Sequence, residues 1–283
     1  MRSAAYRALL LASAGLLIFP APAFAAPGSG AQNPSHRTGA EFVTIGDSYI
    51  GTGSVAATIP GDCLQASDSV GRLVAAKMPQ VTFGEWACGG ADTRDITQRT
   101  PMGPQVDALS TSTKYVAVQI GGNDGTVFNR LITNCIVAVT CTQAFRNEAE
   151  TTIAQLPGRL DTAFAAIARR APKARIAVLG YVKILPDDPT GCVLEATPGR
   201  DAVAFGNRAE QMINDEVAAA ARRAGFIYVD PTARGDHSIC APTGQRYVSI
   251  TGLEPGENGT PFHPTQRGRE FMAAKTYAAL TAH

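Results

Sequence analysis

The chain has 283 residues, 17% charged and 7% aromatic, with 25 Lys and Arg against 24 Asp and Glu. A balance this close to neutral supplies no field to draw in nucleic acid or an anionic membrane, so neither is expected as a partner. From about residue 40 the length suits one domain with a substantial core.

The chain opens on Arg2 and Arg7, an apolar run over residues 8–19, and then Ala23-Phe24-Ala25. This is the pattern of an export signal with a small-x-small cleavage site. The run is too short to span a bilayer comfortably, so stable membrane insertion is not expected. The expected layout is a signal peptide over residues 1–25, a flexible Gly/Pro/Ser/Asn-rich leader over 26–39, and one folded domain over 40–283. Cleavage near Ala25 takes two arginines and no acid, leaving 23 basic residues against 24 acidic, a net of −1. The protein is then secreted. Its six cysteines, Cys63, Cys88, Cys135, Cys141, Cys192 and Cys240, all lie in the mature part. An even number in an exported chain reads as disulfides, and six cysteines allow fifteen pairings. No Cys-x-x-Cys spacing supports a metal site, and no organic cofactor is implied.

Along the domain, strand-like and helix-like segments alternate. Strands are expected at residues 42–45, 81–87, 115–120, 175–181 and 226–229. Helical spacing runs over 67–77, 143–170, 200–223 and 265–280. Pro157 should kink or split the second of these helices, and Pro264 stands just before the last. This alternation implies a parallel sheet covered by helices on both faces. Long connections at residues 184–197 and 230–262 are of the kind that carries function.

The first strand runs directly into Gly46-Asp47-Ser48-Tyr49. A serine there would project into the cleft at the carboxyl edge of the sheet, where such folds bind ligands. A serine hydroxyl needs a base, and histidine is the usual one. Of four histidines, His36 lies in the leader and His283 is the last residue. His237 sits near Cys240, where capping a loop is an equally good reading. His263 lies in Thr260-Pro261-Phe262-His263-Pro264, at the boundary of the last helix, and is the favoured base. Donors for an oxyanion are available at Cys88-Gly89-Gly90-Ala91 and at Gly121-Gly122-Asn123-Asp124, although both also read as ordinary strand-end turns. Two rival motifs fail. Gly51-Thr52-Gly53-Ser54-Val55-Ala56 matches a dinucleotide fingerprint but starts several residues after its strand. Ser48 has Ile50 where a nucleophile elbow needs glycine.

Together these residues resemble the SGNH hydrolase superfamily, also called GDSL esterases and lipases. Gly46-Asp47-Ser48-Tyr49 is similar to the first family block, with Tyr for the commonest Leu. Gly90 matches the second block, Gly121-Gly122-Asn123-Asp124 the third and His263 the fourth. The stretch through Gly51-Thr52-Gly53, with the six cysteines, looks like the secreted actinobacterial branch. The resemblance implies a three-layer α/β/α sandwich with a central five-stranded parallel sheet, a flavodoxin-like SGNH hydrolase fold. It implies a serine esterase or lipase acting on acyl lipids or short-to-medium acyl esters, and a monomer is expected. Ser48 would be the nucleophile and His263 the general base. The Ser48 and Gly90 amides and the Asn123 side chain would form the oxyanion hole. The branch pairs its cysteines in sequence order, implying Cys63–Cys88, Cys135–Cys141 and Cys192–Cys240. Family members usually carry Asp three residues before the histidine, where this chain has Thr260. Some relatives use a main-chain carbonyl there, so the Thr260 carbonyl is expected to orient His263, with Glu257, Asp236 or Asp230 as alternatives. A polysaccharide acetyl esterase, or a non-catalytic binding protein on the same scaffold, remains the competing reading. The aromatic content argues against a glycan platform.

Overall fold

The structure, a computed structural model, describes residues 37–282. The expected signal peptide, most of the leader, His36 and His283 lie outside the described residues. The end of the expected leader belongs to the body. Gly39 N–H donates to the Ala108 carbonyl at 3.0 Å, and the Arg37 carbonyl accepts from the Trp86 indole at 3.2 Å.

Five strands form one parallel sheet: β1 (Phe42–Gly46), β2 (Phe83–Glu85), β3 (Tyr115–Gln119), β4 (Arg175–Leu179) and β5 (Ile227–Val229), in the order β2-β1-β3-β4-β5. The helices are α1 (Ser48–Gly51), α2 (Val70–Ala76), α3 (Thr93–Thr97), α4 (Val127–Arg130), α5 (Gln143–Ile153), α6 (Leu156–Arg170), α7 (Arg200–Arg223) and α8 (Gln266–Thr281). The chain leaves β1 in one direction to reach β2, then crosses back and steps outward through β3, β4 and β5. Right-handed crossovers therefore put α2 on one face and α3, α6 and α7 on the other. The packing follows: α2 lies on α8, while α6 packs on both α3 and α7. Both faces are covered, so the central strands are apolar throughout. Every residue of β1 is buried, as are four of five in β3 and in β4.

Pro157 sits in the first turn of α6, where its missing N–H has no partner to lose, and the expected long helix is two helices. Strand β2 is short, three residues in place of the expected 81–87. The main feature absent from the sequence reading is α4 with its π-helical continuation, Leu131–Val137. Its apolar residues lie among Thr and Asn, and a helix that widens partway along does not keep a 3.6-residue period.

Candidate active site

The sheet order reverses between β1 and β3, which places a crevice at their carboxyl ends. Ser48 follows β1 there. Gly46 has φ +126°, and a Cβ on it would lie 2.0 Å from the Gln119 carbonyl of β3, so only glycine lets the two backbones approach this closely. The buried Gln105 amide grips Gly46 from the side, accepting from its N–H at 2.6 Å and donating to its carbonyl at 3.0 Å. Asp47 caps α1 by accepting from Tyr49 N–H at 2.9 Å. Ser48 thereby becomes the first residue of a helix with its own N–H unspent.

The structure brings His263 to Ser48, Nε2 to Oγ, at 2.7 Å. Nδ1 faces the Pro261 carbonyl at 2.8 Å. A carbonyl only accepts, so Nδ1 carries the proton and Nε2 presents its lone pair to the serine hydroxyl. The orienting carbonyl is therefore that of Pro261 and not of Thr260. The Thr260 carbonyl is taken by the backbone N–H of His263 at 3.1 Å, which closes the turn and turns the next carbonyl toward the ring. The acids considered as alternatives are engaged elsewhere. Glu257 meets Arg246 at 3.2 Å, Asp236 accepts from Ser238 N–H, and Asp230 accepts from Thr232.

Phe262, just before the histidine, has φ +57°, a left-handed conformation costly for a bulky residue. Two bonds hold it: Phe262 N–H to the Ser249 carbonyl at 2.8 Å, and the Tyr49 hydroxyl to the Phe262 carbonyl at 2.7 Å. The Tyr49 ring also lies 5.1 Å from the His263 ring and stacks on Phe128. Desolvation holds the His263 pKa below its usual 6.5, opposed by its bond to Pro261.

Gly90 follows β2, the strand beside β1, and has φ +85° with open space where a Cβ would be. Among the described residues, no backbone carbonyl is paired with its N–H or with that of Ser48. Asn123 follows β3. One of its two amide hydrogens goes to the Ala91 carbonyl at 3.0 Å, leaving the other for a ligand. That bond ties the Asn123 loop to the Gly90 loop. A second tie joins them through Asp124, which accepts from Thr93 N–H at 3.1 Å and from Thr93 Oγ1 at 2.6 Å. Disulfides join Cys63–Cys88, Cys135–Cys141 and Cys192–Cys240. The first of these fixes the approach to Gly90.

Behind Ser48 lies a residue that no motif marks. Tyr181, at the end of β4, donates to Asp47 Oδ2 at 2.5 Å and accepts from Gly122 N–H at 2.9 Å. Burial raises the Asp47 pKa to about 7, against the lowering effect of its bonds from Tyr181 and Tyr49. Tyr181 stands 134 positions from Asp47 and in no motif, so no local signal marks it. His237 takes no part in the contact with Ser48. Its two ring nitrogens face the Gln245 and Arg234 carbonyls, and its ring stacks on Tyr247.

Comparison with known proteins gives the family. The model of the GDSL-like Lipase/Acylhydrolase family matches residues 44–271. The chain is 32% identical over 263 residues to Lipase 2 of Streptomyces coelicolor, covering 85% of each. It is 31% identical over 273 residues to a lipase of Streptomyces rimosus, covering 95% of this chain and 94% of that one. Among solved structures, it is similar to phospholipase A1 from Streptomyces albidoflavus, with a TM-score of 0.67, 28% identity and coverage of 85% and 98%. The extracellular lipase of Streptomyces rimosus gives the same TM-score of 0.67 and 28% identity, with coverage of 85% and 99%. The chain belongs to the GDSL-like lipase/acylhydrolase family and is a carboxylic ester hydrolase.

Proposed function

We propose that this protein is exported, acts as a monomer and cleaves acyl esters through a covalent intermediate on Ser48. The observation that carries this is the 2.7 Å contact between Ser48 Oγ and a His263 ring whose tautomer the Pro261 carbonyl fixes. Nε2 takes the hydroxyl proton as Oγ attacks the ester carbonyl carbon. The negative charge that develops on the carbonyl oxygen meets the Ser48 and Gly90 amides and the free hydrogen of Asn123 Nδ2. The imidazolium returns the proton to the leaving alcohol, and the ester C–O bond breaks. Water, deprotonated by the same nitrogen, then releases the acid and restores Ser48. The imidazolium is supported by a carbonyl dipole and not by a carboxylate.

Phe262, next to His263, and Phe128, stacked on Tyr49, line a small apolar pocket with Leu131, Ile136, Ile184 and Leu185. The likeness to lipases and to a phospholipase A1 favours acyl lipids. Three disulfides support export. The test is a series of p-nitrophenyl esters from acetate to palmitate, run beside Ser48→Ala. Turnover should favour chains longer than acetate and vanish in the variant. Turnover of acetate alone would shift the reading to an acetyl esterase, and no turnover of any ester would refute it.

A further inference from the structure

Among the described residues, the large apolar side chains left exposed are Val55, Leu64, Val137, Val139, Val193 and Leu253. Val55, Leu64, Val193 and Leu253 fall between the carboxyl end of a strand and the next long helix, and Val137 and Val139 lie at the end of the π-helical continuation of α4, which starts from the carboxyl end of β3. None falls in a helix-to-strand connection at the opposite edge. In a parallel sheet this puts those four on the edge that carries Ser48 and His263, and the helix ending at Val137 joins them by packing against residues 195–199. Scattered surface apolar residues need no explanation, but confinement to one face does.

Four of them are also braced. Leu64, 53% exposed, follows Cys63 of the Cys63–Cys88 disulfide and packs against Gly89, next to Gly90. Val137 and Val139, 66% and 47% exposed, lie inside the short Cys135–Cys141 loop. Val193, 68% exposed, follows Cys192 of the Cys192–Cys240 disulfide. Each of the three disulfides thus holds an apolar side chain out into solvent. Leu64 and Val139 both adopt φ +54°, a backbone region that disfavours branched side chains, Val139 most of all. Strain that keeps an apolar side chain out of the core points to use at a surface. The helix ending at Val137 packs against residues 195–199, so Val137 and Val193 rise from neighbouring elements.

Charge selects the partner. Acidic side chains outnumber basic ones in four of the five strand-to-helix connections and equal them in the fifth. Connection 180–199, for example, carries Asp187, Asp188 and Glu195 against Lys183. Most of these acids are buried or ion-paired, Asp187 with Lys183 and Asp188 and Glu195 with Arg200 among them, so the edge has no cationic excess to draw in an anionic surface, whereas an electrically neutral one would accept the apolar side chains. We propose that the carboxyl edge of the sheet docks face-on to electrically neutral lipid aggregates through Leu64, Val137, Val139 and Val193, presenting Ser48 to the interface. The proposal rests on the ester-hydrolase reading for what the surface delivers, but binding itself is independent of turnover.

The test uses Ser48→Ala protein, which cannot consume lipid, sedimented with phosphatidylcholine vesicles. Binding to these vesicles, not strengthened by adding phosphatidylglycerol, is expected. Val137→Ser with Val193→Ser should weaken binding tenfold or more, and Leu64→Ser gives a separate reading on the far side of Ser48. With Ser48 restored, the double variant should keep its turnover of soluble p-nitrophenyl acetate and lose turnover on vesicles. No binding to phosphatidylcholine, binding only when phosphatidylglycerol is present, or full binding by the double variant would overturn the proposal. A protein that binds vesicles but turns over no ester would overturn the catalytic reading and leave the docking surface standing.

Discussion

His263 is fixed from three sides: by the Pro261 carbonyl at Nδ1, by Ser48 Oγ at Nε2, and by the Tyr49 ring, whose hydroxyl secures the strained Phe262. Tyr49→Phe removes that single bond and leaves the ring. A net hydrogen bond is worth about 1 kcal/mol, so kcat should fall roughly five- to tenfold with KM little changed. Singly, Glu257→Gln, Asp236→Asn and Asp230→Asn should each leave kcat within a few-fold, since a carbonyl occupies Nδ1. Loss of turnover in one of them, with folding intact, would restore an acid to the site. Asn123→Ala should cost on the order of a hundredfold or more in kcat, as loss of one oxyanion donor does. Activity needs the neutral imidazole. Because desolvation lowers the His263 pKa below 6.5, the acid limb of the kcat/KM profile should lie below pH 6.5. Ser48, Gly90, Asn123 and His263 stood out in the sequence because each sits in a short motif at a strand end. The orienting carbonyl lies one residue beyond Thr260 because a turn's hydrogen bonds, not its residue types, decide which oxygen faces the ring.

At the scale of elements, three strand ends and one helix start converge on the crevice, and the sequence alternation was enough to place them. The links between them were not visible, because they join residues far apart in the chain. Arg269, buried in the first turn of α8, is the clearest case. It donates to the Pro264 carbonyl at 2.8 Å and meets Asp68 at 2.6 Å, while Asp68 accepts from Ser54 N–H at 3.0 Å. It therefore ties the connection after Ser48 to the turn that carries His263. Arg269→Met leaves Asp68 without its counter-charge and should cost about 3 kcal/mol, read as a shift of the urea midpoint. Helix α4 and its π-helical extension escaped sequence reading for a related reason: their place is set by the Cys135–Cys141 bond and by packing on α5 and α7, not by local periodicity.

Across the whole molecule, two stabilising features can be separated by measurement. The disulfides close loops with sequence separations of 25, 6 and 48 residues. By chain entropy, the longest, Cys192–Cys240, contributes about 4 kcal/mol and the shortest about 2 kcal/mol. Replacing Cys192 and Cys240 together by alanine should therefore lower Tm more than replacing Cys135 and Cys141. The second feature is pH. Burial raises Asp47 and Glu85 to about 7 and Glu210 to about 8. These groups hold protons in the folded state that the unfolded chain releases near pH 4, so stability falls as pH rises from about 4 to 8. Glu254, lowered to about 2 in spite of desolvation by its bonds from Thr251 and Ser249, acts in the opposite sense and loses its contribution below pH 4. The unfolding midpoint should thus be highest near pH 4 to 5, below the range where the dyad is fully active.

The dyad itself is tested most directly by covalent titration with an organophosphonate, followed by peptide mass spectrometry. One phosphonyl group per chain should appear on Ser48, with loss of all ester turnover. His263→Ala should slow labelling by several orders of magnitude, and Ser48→Ala should abolish it. An adduct on another residue, or labelling and turnover that survive in Ser48→Ala, would contradict the account.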